Sequence, residues 1–156
     1  MNSEIAGPYQ IEYLKYETCK GPKRDECGTV RIDSIRNMSD IPFILSLPKD
    51  CPVKSAKVII GTVQNSNKTK KLWNYSLNKP CQHFVLGPLL IKKLNLTYNN
   101  CNLVKGHYEV HINMNELTTK FLGSNFFYDT YFFKTMAYNN ANNFFCVYTV
   151  MKLFKP

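Results

Sequence analysis

Cys81-Gln-His-Phe-Val-Leu-Gly-Pro-Leu-Leu-Ile-Lys-Lys-Leu-Asn-Leu-Thr-Tyr-Asn-Asn-Cys101-Asn-Leu-Val-Lys-Gly-His-Tyr108 brackets an apolar segment between two cysteines and passes directly into a strand-like run. Pro88 suits the first turn of a helix, where its missing N–H costs nothing. Leu90, Ile91 and Leu94 recur at helical spacing with Lys92 and Lys93 on the other side. A short helix of about two turns is expected between Gly87-Pro88 and Asn95. After Cys101 the pattern becomes strict alternation. Tyr108, Val110, Ile112 and Met114 point one way, and His107, Glu109, His111 and Asn113 the other, as in a half-buried strand. The bracketed segment carries more apolar side chains than a short loop needs. They either plug a core or line a cavity.

The same alternation runs outward in both directions. Tyr9, Ile11 and Tyr13 oppose Gln10 and Glu12, and Val30 and Ile32 face inward in a strand over Thr29–Ile35. Phe43, Leu45 and Leu47 form a third strand ended by Pro48 and Pro52, and Ala56, Val58 and Ile60 a fourth over Ala56–Val63. Gln64–Lys71 reads as a polar loop and Leu72–Leu77 as a short strand carrying Trp73, the only tryptophan. Phe126–Tyr138 reads as a long aromatic strand, Asn139-Asn-Ala-Asn-Asn as a hairpin turn, and Phe144–Phe154 as the last strand. Seven or eight short strands with turns every 8–12 residues describe an all-β, antiparallel β-sandwich. Residues 1–8 read as a loose lead-in and 9–156 as a single domain.

Composition sets the class. The chain is 44% hydrophobic and only 20% charged, so it is globular rather than disordered. Six cysteines (Cys19, Cys27, Cys51, Cys81, Cys101 and Cys146) contain no Cys-x-x-Cys and no zinc-finger spacing to the histidines. They read as three disulfides in an oxidising compartment. Sequons at Asn37, Asn67, Asn74 and Asn95 agree with a secreted glycoprotein. Met1-Asn2-Ser3-Glu4 has no basic-then-apolar leader pattern, so the secreted reading takes the chain as mature, with its signal removed. The net charge of +9 comes from scattered Lys and Arg. Their densest cluster, Lys68, Lys70 and Lys71, reads as a solvated loop rather than an anion site.

No catalytic constellation is present: no paired carboxylates, no Gly-x-Ser-x-Gly, no His-Glu-x-x-His and no phosphate-binding glycine loop. His107 and His111 share the outward face of a strand, where solvent-facing alternation is commoner than a metal pair. The expectation is a non-enzyme without metal or cofactor. Phe126, Phe127, Tyr131, Phe132 and Phe133 have few basic neighbours, which argues against nucleic acid. An apolar flap at Phe84–Ile91, an apolar loop at Phe121-Leu122-Gly123 and the two-faced aromatic strand would all be explained by a pocket between the sheets. Taken alone, these residues favour an ordinary core.

Cys101-Asn-Leu-Val-Lys-Gly-His-Tyr-Glu-Val, with Pro80-Cys81 upstream, resembles the Cys-x-x-x-Lys-Gly-x-Tyr pattern of the ganglioside GM2 activator and its arthropod relatives, within the ML lipid-recognition group. Leu72-Trp73 before Pro80-Cys81, Tyr16…Cys19 at the start and Cys146 in the last strand repeat the same order. The resemblance spans roughly Tyr9 to Phe154, and its specific part is Leu72 to Tyr108. It implies an immunoglobulin-like β-cup whose splayed sheets hold acyl chains, with mouth loops at Phe84–Ile91 and Phe121–Phe126 that touch membrane or gate entry. It also implies bridges Cys19–Cys146 and Cys81–Cys101, leaving Cys27–Cys51. The activator has eight cysteines against six here, which departs from its mouth-loop stapling and from a ganglioside substrate.

The function expected is a secreted lipid carrier, extracellular, with lysosomal or salivary settings among those of the resembling proteins. Its partners would be a lipid or other apolar small molecule, transient membrane-surface contact and a receptor protein. The expected cavity and mouth comprise Trp73, Phe84, Val85, Leu86, Leu89, Leu90, Ile91, Leu94, Tyr108, Val110, Ile112, Phe121, Leu122, Phe126, Phe127, Tyr131 and Phe133. Lys92, Lys93 and Lys105 are rim candidates for an acidic headgroup. The alternative is a secreted interaction protein with a filled core that binds a receptor or host protein through its surface. A weaker third reading is a basic domain for sulfated glycans.

Overall fold

The computed structural model describes residues 5–32, 37–64, 68–83, 86–88 and 101–156. Its strands are β1 (Ala6–Pro8), β2 (Gln10–Thr18), β3 (Asp25–Glu26), β4 (Thr29–Ile32), β5 (Ile41–Leu47), β6 (Cys51–Pro52), β7 (Ser55–Val63), β8 (Thr69–Leu77), β9 (Asn102–Leu103), β10 (Gly106–Ile112), β11 (Asn125–Phe127), β12 (Asp129–Tyr138) and β13 (Asn142–Phe154). The helices are α1 (Leu86–Pro88) and α2 (Met114–Leu122), and Pro80–Gln82 forms a single 3-10 turn.

Alternation builds the two main sheets. In β5 the side chains of Ile41, Phe43, Leu45 and Leu47 are all buried, and the strand is the centre of a three-stranded sheet ordered β10-β5-β4. The larger sheet is ordered β2-β13-β12-β7-β8, with β3 added in parallel to β13. Its central strands carry apolar residues on the outer face as well. There Phe132 stacks on Tyr148 with centroids 5.8 Å apart. The inner faces of the two sheets share one core that includes Phe43, Leu45, Val110, Phe144 and Val147. The result is an all-β antiparallel sandwich with a short helical component.

Three β-bulges displace the simple parity. In β2 the register against β13 slips at Leu14, so Tyr13 and Tyr16, three apart, both pack inward while Leu14 is left exposed. In β8 it slips at Leu72, which is likewise exposed. The partner position is Gly61, where a Cβ would collide with the Lys70 carbonyl and the Phe132 ring. In β13 it slips at Phe144, so Phe144 and Phe145 both reach the interior.

Several expectations are corrected. Ala6–Pro8 is not loose; it pairs antiparallel with β11. The strand of Tyr108–Met114 ends at Ile112, and Phe121-Leu122-Gly123 is not a loop but the last turn of α2. That helix starts where the Asn113 side chain accepts a hydrogen bond from the Glu116 N–H at 3.0 Å. It stops at Gly123, whose φ of 86° favours glycine. Phe126–Tyr138 is two strands, broken at Tyr128. Lys70 and Lys71 lie in β8 rather than in a loop. Pro52 does not simply end a strand but pairs with Asn102. The helix expected at Gly87-Pro88 already includes Leu86, and its continuation to Asn95 lies outside the described residues.

The cysteines form Cys19–Cys146, Cys27–Cys51 and Cys81–Cys101. The first joins β13 to the end of β2 across 127 residues of sequence, the longest of the three loops. Closing a loop of that length contributes about 5 kcal/mol in the chain-entropy view. Replacing Cys19 and Cys146 together by serine is expected to lower unfolding free energy by about 2–5 kcal/mol. Urea titration measures it; an unchanged midpoint would show that the sheet pairing alone holds β2.

Candidate functional site

The interior of the sandwich is not completely filled. A cavity of about 140 Å³ lies between the sheets. One wall is the larger sheet, through Tyr16, Val58, Phe133, Thr135, Val147, Thr149 and Met151. The other is the smaller sheet, through Val30, Phe43, Leu45, Val110 and Ile112. Phe144 and Phe145 contribute from the start of β13. Helix α2 lies along the space with Met114, Leu117, Thr118, Phe121 and Leu122 facing it. Among the described residues no charged side chain lines the cavity, so it offers burial and a few hydroxyls but no counter-ion.

Helix α2 reaches the cavity because its polar face is satisfied elsewhere. Glu116 and Lys120 pair on the outside at 2.8 Å. The Met114 N–H donates to the Met38 carbonyl at 2.8 Å, and the Tyr9 hydroxyl donates to the Gly123 carbonyl at 2.6 Å. Tyr13 and Thr118 hydroxyls meet at 3.4 Å. The helix is thus tied at both ends, while Leu117 and Thr118 turn inward.

Of the expected cavity residues, Val110, Ile112, Phe121, Leu122 and Phe133 line it. Trp73, Phe126, Phe127 and Tyr131 do not; they form an aromatic cluster beyond it. Trp73 and Phe126 are 6.0 Å apart edge to face, Phe126 and Tyr131 5.5 Å, and Phe127 is 54% exposed. Burial, with Asp129 adding, pushes the Tyr131 hydroxyl up to about 12, and it donates to the Phe127 carbonyl. Tyr108 packs beside the core and donates to the Val104 carbonyl at 2.6 Å. Phe84, Val85, Leu89, Leu90, Ile91 and Leu94 lie outside the described residues, as does the side chain of Leu86. Of the rim lysines, Lys92 and Lys93 lie outside them too. Lys105 is exposed in a turn whose N–H donates to Asp50 and does not line the cavity.

In the sequence reading Phe144–Phe154 has no assigned face, so none of the β13 lining is named, and Tyr16 escapes it because the bulge at Leu14 breaks parity. Met114, Leu117 and Thr118 escaped because α2 was read as strand and loop. The signal for it was present in Asn113-x-x-Glu116, a helix-start pattern. Of the sequons, Asn37 and Asn74 are exposed, while Asn67 and Asn95 lie outside the described residues. No family model matches the chain, and no curated protein matches it. No helix among the described residues is long and apolar enough to cross a membrane.

His111 sits between two carboxylates, 2.6 Å from Asp40 and 3.3 Å from Glu109. The Asp40 hydrogen bond, then that of Glu109, raises its pKa above the ordinary value. Burial lowers that of His83. Among the described residues no group of three or more His, Cys, Asp or Glu could hold a metal ion. Because the folded His111 pKa is raised, its contribution to stability is full below about 6.5 and is lost as pH rises through the folded value. NMR titration is expected to place the His111 midpoint above the ordinary imidazole value, with Asp40→Asn bringing it down. Equal midpoints in wild type and Asp40→Asn would rule out the contact in solution.

Proposed function

We infer that the protein is a secreted carrier that holds a lipid or similar apolar ligand between its sheets and performs no covalent chemistry. The observation that carries this reading is the cavity, lined by both sheets and α2 and free of charged lining among the described residues. Three disulfides suit the oxidising compartment such a carrier occupies. The resemblance of Leu72 to Tyr108 to the ganglioside GM2 activator and the ML group supports the same reading. The mechanism is burial, at roughly 0.8 kcal/mol per enclosed methylene, less the cost of association. At about 140 Å³ the space takes a small apolar molecule or one end of an acyl chain. A longer chain would run out past α2. Phe127 and Tyr75, exposed beside the aromatic rings of Phe126 and Phe121, together with the +9 charge, suit transient contact with a membrane surface.

One observation favours a second reading, a secreted interaction protein that meets a receptor or host protein through its surface. The cavity is smaller than the roughly 300–1,000 Å³ of common ligand sites. Native mass spectrometry of the secreted protein, followed by organic extraction, separates the two. A reproducible co-purified lipid is expected. Leu117→Trp, which fills the cavity from α2, should abolish uptake of a fluorescent fatty-acyl probe without changing the circular dichroism. A clean apo mass with no uptake by wild type would favour the interaction protein.

A further inference from the structure

The inner face of the larger sheet carries hydroxyls into the cavity, where the rest of the described lining is hydrocarbon apart from Thr118, whose hydroxyl meets that of Tyr13. Thr149 on β13 stands opposite Tyr16 on β2 and opposite Phe133 on β12. Thr135 lies two residues along β12 on the same face, beside Val147. All three line the cavity, and Thr149 is only 3% exposed. None of their hydroxyls bonds to another described group. Every fully shut-off side-chain oxygen among the described residues has a partner. Thr149 is buried and lines the cavity, so its unpartnered hydroxyl opens onto that space, with the half-buried Tyr16 and Thr135 lining it beside Thr149.

Unpartnered buried hydroxyls are uncommon because they forgo the hydrogen bonds that water would supply. A ligand oxygen placed between them would restore those bonds. Among the described residues the same walls hold no cation, so an ionised carboxylate entering would lose its hydration without a counter-charge from them. The geometry points to a neutral apolar alcohol or ketone as the ligand class, its oxygen bonded to Thr149 with Tyr16 and Thr135 alongside, in preference to a fatty-acid anion. Burial, with Tyr13 adding, raises the Tyr16 pKa far above the ordinary tyrosine value, so its hydroxyl stays a donor. This inference rests on the cavity being a ligand site, and the experiment separates the two.

Octanol, octanoate and the oxygen-free control toluene are titrated into the folded protein at about pH 8, where octanoate is ionised, and followed by NMR shifts of the cavity methyl groups. Octanol is expected to bind about tenfold tighter than octanoate. Thr149→Val, which keeps the shape and removes the oxygen, is expected to weaken octanol about three- to tenfold and to leave toluene within about twofold. Tyr16→Phe gives the same reading should Thr149→Val fold poorly. Octanoate binding as tightly as octanol, or a Thr149→Val effect equal on octanol and toluene, would overturn the ligand class while leaving the cavity as an apolar site. Failure of all three to bind wild type would overturn both.

Discussion

One end of the sandwich is closed covalently, and the packing of the two sheets depends on it. Cys27–Cys51 fastens the approach to β4 onto the exit of β5, and Cys81–Cys101 fastens the segment after β8 onto the start of β9. Between them, buried Asn139 donates to the Pro52 carbonyl at 2.9 Å and accepts from the N–H groups of Ala141 and Asn142. The neighbouring Asn143 bonds Lys23 and Glu26 in the same way. These contacts satisfy loop backbone that would otherwise be buried unpaired. They also hold the sheets together without requiring a filled core between them along their whole length.

The space reaches from Phe144 beside that end to α2, which rather than a strand completes its wall. A cavity in a domain of this size weakens packing, because its lining has no partner atoms on one side. The disulfides offset that loss by restricting the unfolded chain. The aromatic cluster of Trp73, Phe121, Phe126 and Tyr131 packs a second core beyond the helix. Phe121 belongs to both, lining the cavity and meeting Phe133 edge to face at 6.4 Å. Displacement of the helix would therefore disturb both cores at once.

The strands were legible wherever alternation ran unbroken. β5, β7 and β10 follow it with little deviation, and each carries its apolar face inward. Legibility failed at two kinds of place. Where one extra residue enters a strand, as at Leu14, Leu72 and Phe144, every later side chain changes face, and period-two reading assigns the wrong wall. Where a helix begins in phase with a strand, the first residue hides it. Met114 continues the parity of Val110 and Ile112, and the β-branched Thr118 and Thr119 look strand-like. The cavity lining was half-visible for these reasons. Phe133, Val110 and Ile112 obey parity, whereas Tyr16, Leu117 and Phe144 do not.

The strand β8 ends the larger sheet, and its outward edge has no neighbour among the described strands. It carries Lys70 and Lys71 in succession and, three residues on, the exposed asparagine of a glycan sequon at Asn74. Two molecules meeting edge to edge would bring like charges together where backbone bonds would otherwise form. The bulge at Leu72 bends that edge further from the straight template another chain would need. Like charges along that edge and the bulge that bends it thus both oppose pairing of this strand with a second copy.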